Sequence, residues 1–195
     1  MAVSRIMLKN AIYGVTENQF LLGEKYFYGY GEQKNLALAE SWYKEAAKKG
    51  HAAATYMYGY MTINGLAGEI NLRKGNLLIK KAAAKNNLKA MLLLARNYYY
   101  GYGIKRNEKK AFKTWEKGAK LGCAEAEYYL GLCYEKGIYV KPDIMRAKKH
   151  LYNALESGFD LAKIALNDYS GGKSTSLLGS KYSARTISPD LVKIA

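Results

Sequence analysis

Apolar and polar positions along this chain follow helical spacing, stop, and start again every 36 residues. In residues 16–51, Phe20, Leu22, Tyr26 and Phe27 recur at helical intervals. Gly29-Tyr30-Gly31 then interrupts them, because glycine accepts the left-handed conformation that closes a helix. Asn35 restarts the pattern with a side chain that can accept a hydrogen bond from the first open amides of a helix. Ala39, Trp42, Tyr43, Ala46 and Ala47 follow at three- and four-residue spacing, and Gly50 ends the run. The pattern predicts a helix–turn–helix unit.

The same marks return without gaps. Gly29, Gly65, Gly101 and Gly137 are each 36 apart, as are Asn35, Asn71, Asn107 and Asp143. Ala47, Ala83, Ala119 and Leu155 keep the same register. A fixed period of this length predicts an array in which each unit stacks on the next. The units read as 16–51, 52–87, 88–123 and 124–159. Small residues at 23, 59, 95 and 131, and at 46, 82, 118 and 154, predict close helix approach. The second copy departs most, with Asn86 in a glycine place and Ala67, Gly75 and Leu78 off the pattern. Gly14 precedes Gly50 by one period, so 1–15 reads as a capping half-unit. Leu166 follows Leu130 by one period, so 160–170 reads as a closing helix. Residues 171–195 lose the period and read as an irregular tail, with a possible short helix from Ser188-Pro189-Asp190.

The motif Leu22-Gly23-x-x-Tyr26-x-x-Gly29-x-Gly31 resembles the first helix of Sel1-like repeats. Asn35-x3-Ala39-x2-Trp42-Tyr43-x2-Ala46-Ala47-x2-Gly50 resembles their second helix, where the family usually starts on Asp, as at Asp143. The resemblance covers residues 16–170. It implies an all-α, right-handed α-solenoid of 36-residue helix-turn-helix repeats. It implies that first helices line a concave side and second helices the outside. Members of this family look like adaptors and scaffolds, and some bacterial members act as immunity proteins against toxins. The family motif carries no catalytic residues.

Charge adds a constraint on partners. The chain has 31 Lys and Arg against 16 Asp and Glu, a formal net charge of +15. Such a field speeds encounter with an acidic protein, and salt screens it. The alternative reading is a basic solenoid that binds nucleic acid or an anionic surface. Lys44, Lys48, Lys49, Lys80, Lys81, Lys85, Lys113, Lys117, Lys120, Lys148 and Lys149 fall on second helices, where a solvated outer face is the plainer reading. Lysine outnumbers arginine, which disfavours bidentate nucleic-acid readout. No apolar run reaches the length of a membrane span or a signal peptide. The reading is cytoplasmic, or periplasmic or secreted if a leader has been removed. Cys123 and Cys133 read as reduced thiols.

Chemistry is sparse. His51 sits at a unit junction, and His150 takes the packing place of Trp42. Neither has a metal-ligand neighbour at helical spacing. Gly172-Lys173-Ser174 lacks the earlier glycine of a phosphate loop, since Asn167 stands there, and no strand precedes it. No catalytic residue, cofactor or metal is assigned, and the chain reads as non-enzymatic.

The candidate site is a stripe on the first helices. Positions 17, 21, 24 and 28 form a face distinct from the packing positions 18, 22, 23 and 26. Stacking the copies gives Leu21, Met57, Leu93 and Tyr129 in one row. The next row is Glu24, Tyr60, Arg96 and Leu132, and the last is Tyr28, Asn64, Tyr100 and Lys136. Tyrosine, arginine and aliphatic side chains together are the usual chemistry of a protein interface. The expected partner is an acidic protein, bound by a monomer, with Tyr60, Arg96, Tyr100 and Tyr129 reachable on the inner face.

Overall fold

The computed structural model describes residues 5–170, and all the elements among them are helices. They are α1 (Arg5–Ile12), α2 (Thr16–Tyr28), α3 (Leu36–Lys48), α4 (Ala52–Asn64), α5 (Leu72–Ala84), α6 (Leu88–Tyr100), α7 (Glu108–Lys120), α8 (Ala124–Lys136), α9 (Ile144–Glu156) and α10 (Leu161–Ser170). Helices α2 to α9 are all 13 residues long, so the sequence period is also a structural period. The chain divides into two compact units, the first carrying α1–α7 and the second α8–α10.

The helix ends explain the regularity. Asn35, Asn71 and Asn107 each accept a hydrogen bond from the amide three residues on, at 3.0, 2.9 and 2.8 Å. Asp143 does the same for Arg146 at 2.9 Å. Each bond satisfies an amide that the helix itself leaves open. First helices end on Gly29, Gly65 and Gly101, all at positive φ, where the glycine amide bonds a carbonyl four residues back. Asn86 also has a positive φ of 62°, matching Gly50 and Gly122 in their copies. Asparagine tolerates that region better than most residues, so the substitution keeps the turn.

In the first unit each helix packs on the next, and the first helices α2 and α4 also touch. The core between them gathers Phe27, Ala39, Tyr43, Ala46, Ala54, Met57, Tyr58 and Met61. Tyr43 and Ala46 are wholly buried. Gly23 lets α2 approach α3 closely: a Cβ there would lie 2.5 Å from the Tyr43 ring. Between the second and third copies the core turns polar. The Asn97 amide donates to Asn76 Oδ1 at 2.9 Å, and the Asn76 amide donates to the Leu72 and Tyr102 carbonyls at 2.9 and 3.0 Å. Both asparagines are buried, so these bonds are needed to offset their desolvation.

Two lysines expected on a solvated face have a structural task. The Lys49 ammonium donates to the Gly14 carbonyl at 2.5 Å, and Lys85 to the Gly50 carbonyl at 2.6 Å. Each lies 35 residues beyond its acceptor, so each ties one unit junction to the next. Lys44, Lys48, Lys80, Lys81, Lys113, Lys117 and Lys120 are exposed.

In the second unit α9 packs on both α8 and α10. Leu151, Ala154, Ala162 and Ala165 form its core, with Tyr128, Phe159 and Leu166 against them. A Cβ on Gly131 would lie 2.8 Å from Leu151 Cγ, the same close approach as at Gly23.

Candidate protein-binding face

The stripe drawn from the sequence falls on α2, α4 and α6 of the first unit. Leu21, Glu24, Tyr28, Tyr60, Asn64, Leu93 and Arg96 are half-buried, and Tyr100 is exposed. Met57 departs from the stripe. It is buried at 8% exposure and packs in the core with Phe27 and Tyr43, because α4 has neighbours on both sides. A partner cannot touch it without displacing them. In the second unit, Tyr129, Leu132 and Lys136 are half-buried on α8.

Aromatic contacts hold the tyrosines in place. Tyr28 stacks on Tyr30 at 5.1 Å and meets Phe27 edge-on at 4.9 Å. Tyr56 and Tyr60 stack at 6.2 Å, one helical turn apart. Tyr99 meets Tyr100 edge-on at 4.8 Å and leans on Trp115 at 5.9 Å. Asn64 is tied back to its own helix, its amide donating to the Tyr60 carbonyl at 2.7 Å. These rings therefore present fixed edges with little rotamer freedom left to lose on binding.

The electrostatics tie the row together. Burial pushes the Tyr60 phenol up, and the Arg96 guanidinium partly offsets that rise. Burial also raises Tyr100, with Tyr99 adding to the rise and Arg96 opposing it. Tyr28 is raised by burial, then by Glu24, Tyr30 and Tyr60. Arg96 thus sits near two phenols, and no carboxylate among the described residues pairs with it. A half-buried guanidinium with no paired carboxylate among the described residues has donors left to offer one. In the second unit burial lowers the Lys136 ammonium, against the pull of Glu135.

Glu24 lies at the other end of the row. Burial raises its carboxyl above the ordinary 4.5, with Glu17 adding to the rise and Lys89 and His51 opposing it. The folded chain therefore holds that proton more tightly than the unfolded chain. The stabilisation is full below pH 4.5 and is lost as pH rises through the raised value. Glu24→Gln is expected to raise the thermal midpoint at pH 7 by a few degrees at most and to leave it unchanged below pH 4.5. A fall at pH 7 would mean that attraction from Lys89 outweighs the cost of burial.

Sequence reasoning missed the role of His51. Its Nδ1 accepts from the Ala54 amide at 3.1 Å and so caps α4. Its Nε2 meets Glu17 Oε2 at 3.2 Å, and its ring stacks on Phe20 at 4.6 Å. The signal was available: Asn87, one period on, caps α6 in the same way at 2.9 Å. His150 packs flat on Tyr134 at 5.3 Å, and its Nδ1 is also 2.6 Å from Glu127 Oε2. No group of three His, Cys, Asp or Glu residues that could hold a metal occurs among the described residues. Among them, no helix is long and apolar enough to cross a membrane. Cys123 and Cys133 are buried thiols. The Gly172-Lys173-Ser174 and Ser188-Pro189-Asp190 segments lie outside the described residues.

The comparisons agree with the helical repeats. A sel1-like repeat-containing protein of Acanthamoeba polyphaga mimivirus is 30% identical over 123 residues, covering 63% of this chain and 22% of that protein. The chain spans less than a quarter of the curated relatives it matches. A Sel1 repeat protein from Oxalobacter formigenes superposes with a TM-score of 0.77 at 30% identity, covering 83% of this chain and 64% of that one. A protective antigen of uropathogenic Escherichia coli superposes at 0.78 and 26% identity, covering 86% and 36%. An immunity protein from Pseudomonas aeruginosa, 20% identical, shares the fold at 0.57 over 86% of this chain and 62% of that one. The Sel1 repeat model matches residues 19–51, 52–87, 88–123 and 124–159, which are the hairpins α2–α3, α4–α5, α6–α7 and α8–α9. With four matched repeats and the caps, glycine turns and close helix contacts that build them, the chain belongs to the Sel1 repeat family.

Proposed function

We propose that this chain is a non-enzymatic protein-binding module that holds its partner on the face made by α2, α4 and α6. The observation that carries the reading is Arg96, half-buried beside Tyr60 and Tyr100 and without a carboxylate partner among the described residues. An acidic side chain of the partner meets Arg96, and the tyrosine edges supply the apolar contact around it. Leu21, Glu24, Tyr28, Asn64 and Leu93 complete the surface. Tyr129, Leu132 and Lys136 offer the same kind of surface on the second unit. The net charge of +15 brings the acidic partner in. Two versions of the role fit this face: an adaptor, and an immunity protein that covers a toxin. We favour a monomer, placed in the cytoplasm, or in the periplasm or outside the cell if a leader has been removed.

Affinity capture with mass spectrometry tests the reading. The wild type and Tyr60→Ala are expected to retain different amounts of the same acidic protein, while Arg96→Glu retains none. A secreted toxin among the captured proteins supports the immunity version. Equal capture by all three chains would end the assignment of this face.

A further inference from the structure

The net charge is not spread over the repeats. Helix α3 carries two lysines against two glutamates. Helix α5 carries four cations and no acid, and α7 carries five lysines against two glutamates. On α5 the exposed residues Arg73, Leu77, Lys80 and Lys81 follow helical spacing on one face, and Ile70 precedes them in the same register. On α7, Lys109, Lys113, Lys117 and Lys120 repeat that face one unit later. The turn before α7 lies directly on α5, since the Tyr102 carbonyl accepts from Asn76 and a Cβ on Gly103 would meet Leu72.

Both acids of α7 are already engaged, and the exposed Glu69 precedes Ile70. Glu108 pairs with Arg106 at 2.6 Å and Glu116 with Lys120 at 3.7 Å. Arg73, Lys80, Lys81, Lys113 and Lys117 have no carboxylate partner among the described residues. Exposed apolar groups lie among them: Ile70 is 65% and Leu77 57% exposed.

We propose that the outer face of α5 and α7 docks on an anionic lipid bilayer and leaves the α2–α4–α6 face open. Complementary charge selects the partner, because flexible lysines near a charged membrane surface each add attraction without needing fixed geometry. Apolar side chains among cations suit the headgroup boundary, where they enter the acyl region while the ammonium groups stay in water. Nucleic acid fits less well. The rings beneath the cations are covered, Tyr58 by Lys74 at 4.9 Å and Tyr98 by Lys110 at 5.4 Å, so they offer no stacking platform. Both of those tyrosines are buried.

The test is flotation of the full chain with phosphatidylcholine vesicles, with and without roughly 30% phosphatidylserine, at about 0.1 M salt. Binding is expected only to the anionic vesicles. The Lys80→Glu/Lys81→Glu/Lys113→Glu/Lys117→Glu variant is expected to lose at least roughly tenfold of that binding. Leu77→Ser is expected to weaken it several-fold. Lys44→Glu/Lys48→Glu on α3 is expected to bind as the wild type does, and circular dichroism should show every variant folded. The proposal is overturned if anionic vesicles recruit no protein or if the folded quadruple variant binds them equally. It is also overturned if a DNA duplex displaces the vesicles at equal phosphate.

Discussion

Tyr43→Ala is expected to destabilise the first unit by about 3–5 kcal/mol, the usual cost of removing a large aromatic from a packed core. Tyr43 is wholly buried on α3, with Phe20 and Phe27 of α2 at 5.9 and 6.4 Å. Gly23 leaves no Cβ on α2 that could move in to fill the space. The companion variant gives the opposite result. The Tyr43 hydroxyl is buried without a hydrogen-bond partner among the described residues, and burial near Glu24 pushes its ionisation far up. Tyr43→Phe is therefore expected to gain about 1 kcal/mol, since an unsatisfied hydroxyl carries a desolvation cost. Urea melts of both variants followed by far-ultraviolet circular dichroism check this. A loss of stability in Tyr43→Phe would mean that a bound water or a shifted Glu24 satisfies the hydroxyl.

The second large effect concerns binding. Arg96→Ala and Tyr60→Ala are each expected to weaken capture of the partner by about 2 kcal/mol or more, through a faster off-rate. Lys80→Glu and Lys117→Glu are expected to slow association at low salt and to lose that effect when salt screens the field. Surface plasmon resonance at two salt concentrations separates the two behaviours. The tyrosine variant is compared only after its melt matches the wild type, because Tyr60 also packs against the core of the first unit.

Much of the fold was legible because repeat proteins write their structure several times. The asparagine caps, the glycine turns and the small residues at 23, 59, 95 and 131 each follow from local chemistry, so spacing alone locates them. Less was legible where one copy breaks the rule. Tyr139 adopts a positive φ of 64° at the place where Gly31 and Gly103 stand, which no tyrosine advertises. The Asn76–Asn97 pair takes positions that are apolar or charged in other copies, so only the three-dimensional contact explains it. Lys49 and Lys85 look like solvated lysines until the glycine carbonyls one unit back are seen. The proposed stripe is a row of positions drawn from spacing. Burial, not spacing, removes Met57 from it, and Arg96 differs by having no carboxylate partner among the described residues.

The most direct test of the central claim is hydrogen exchange on the chain alone and bound to its captured partner. Protection is expected in the exposed parts of α2, α4 and α6, strongest around Tyr60, Arg96 and Tyr100, with α5 and α7 unchanged. Protection confined to α5 and α7, with the first helices exchanging as before, would contradict it.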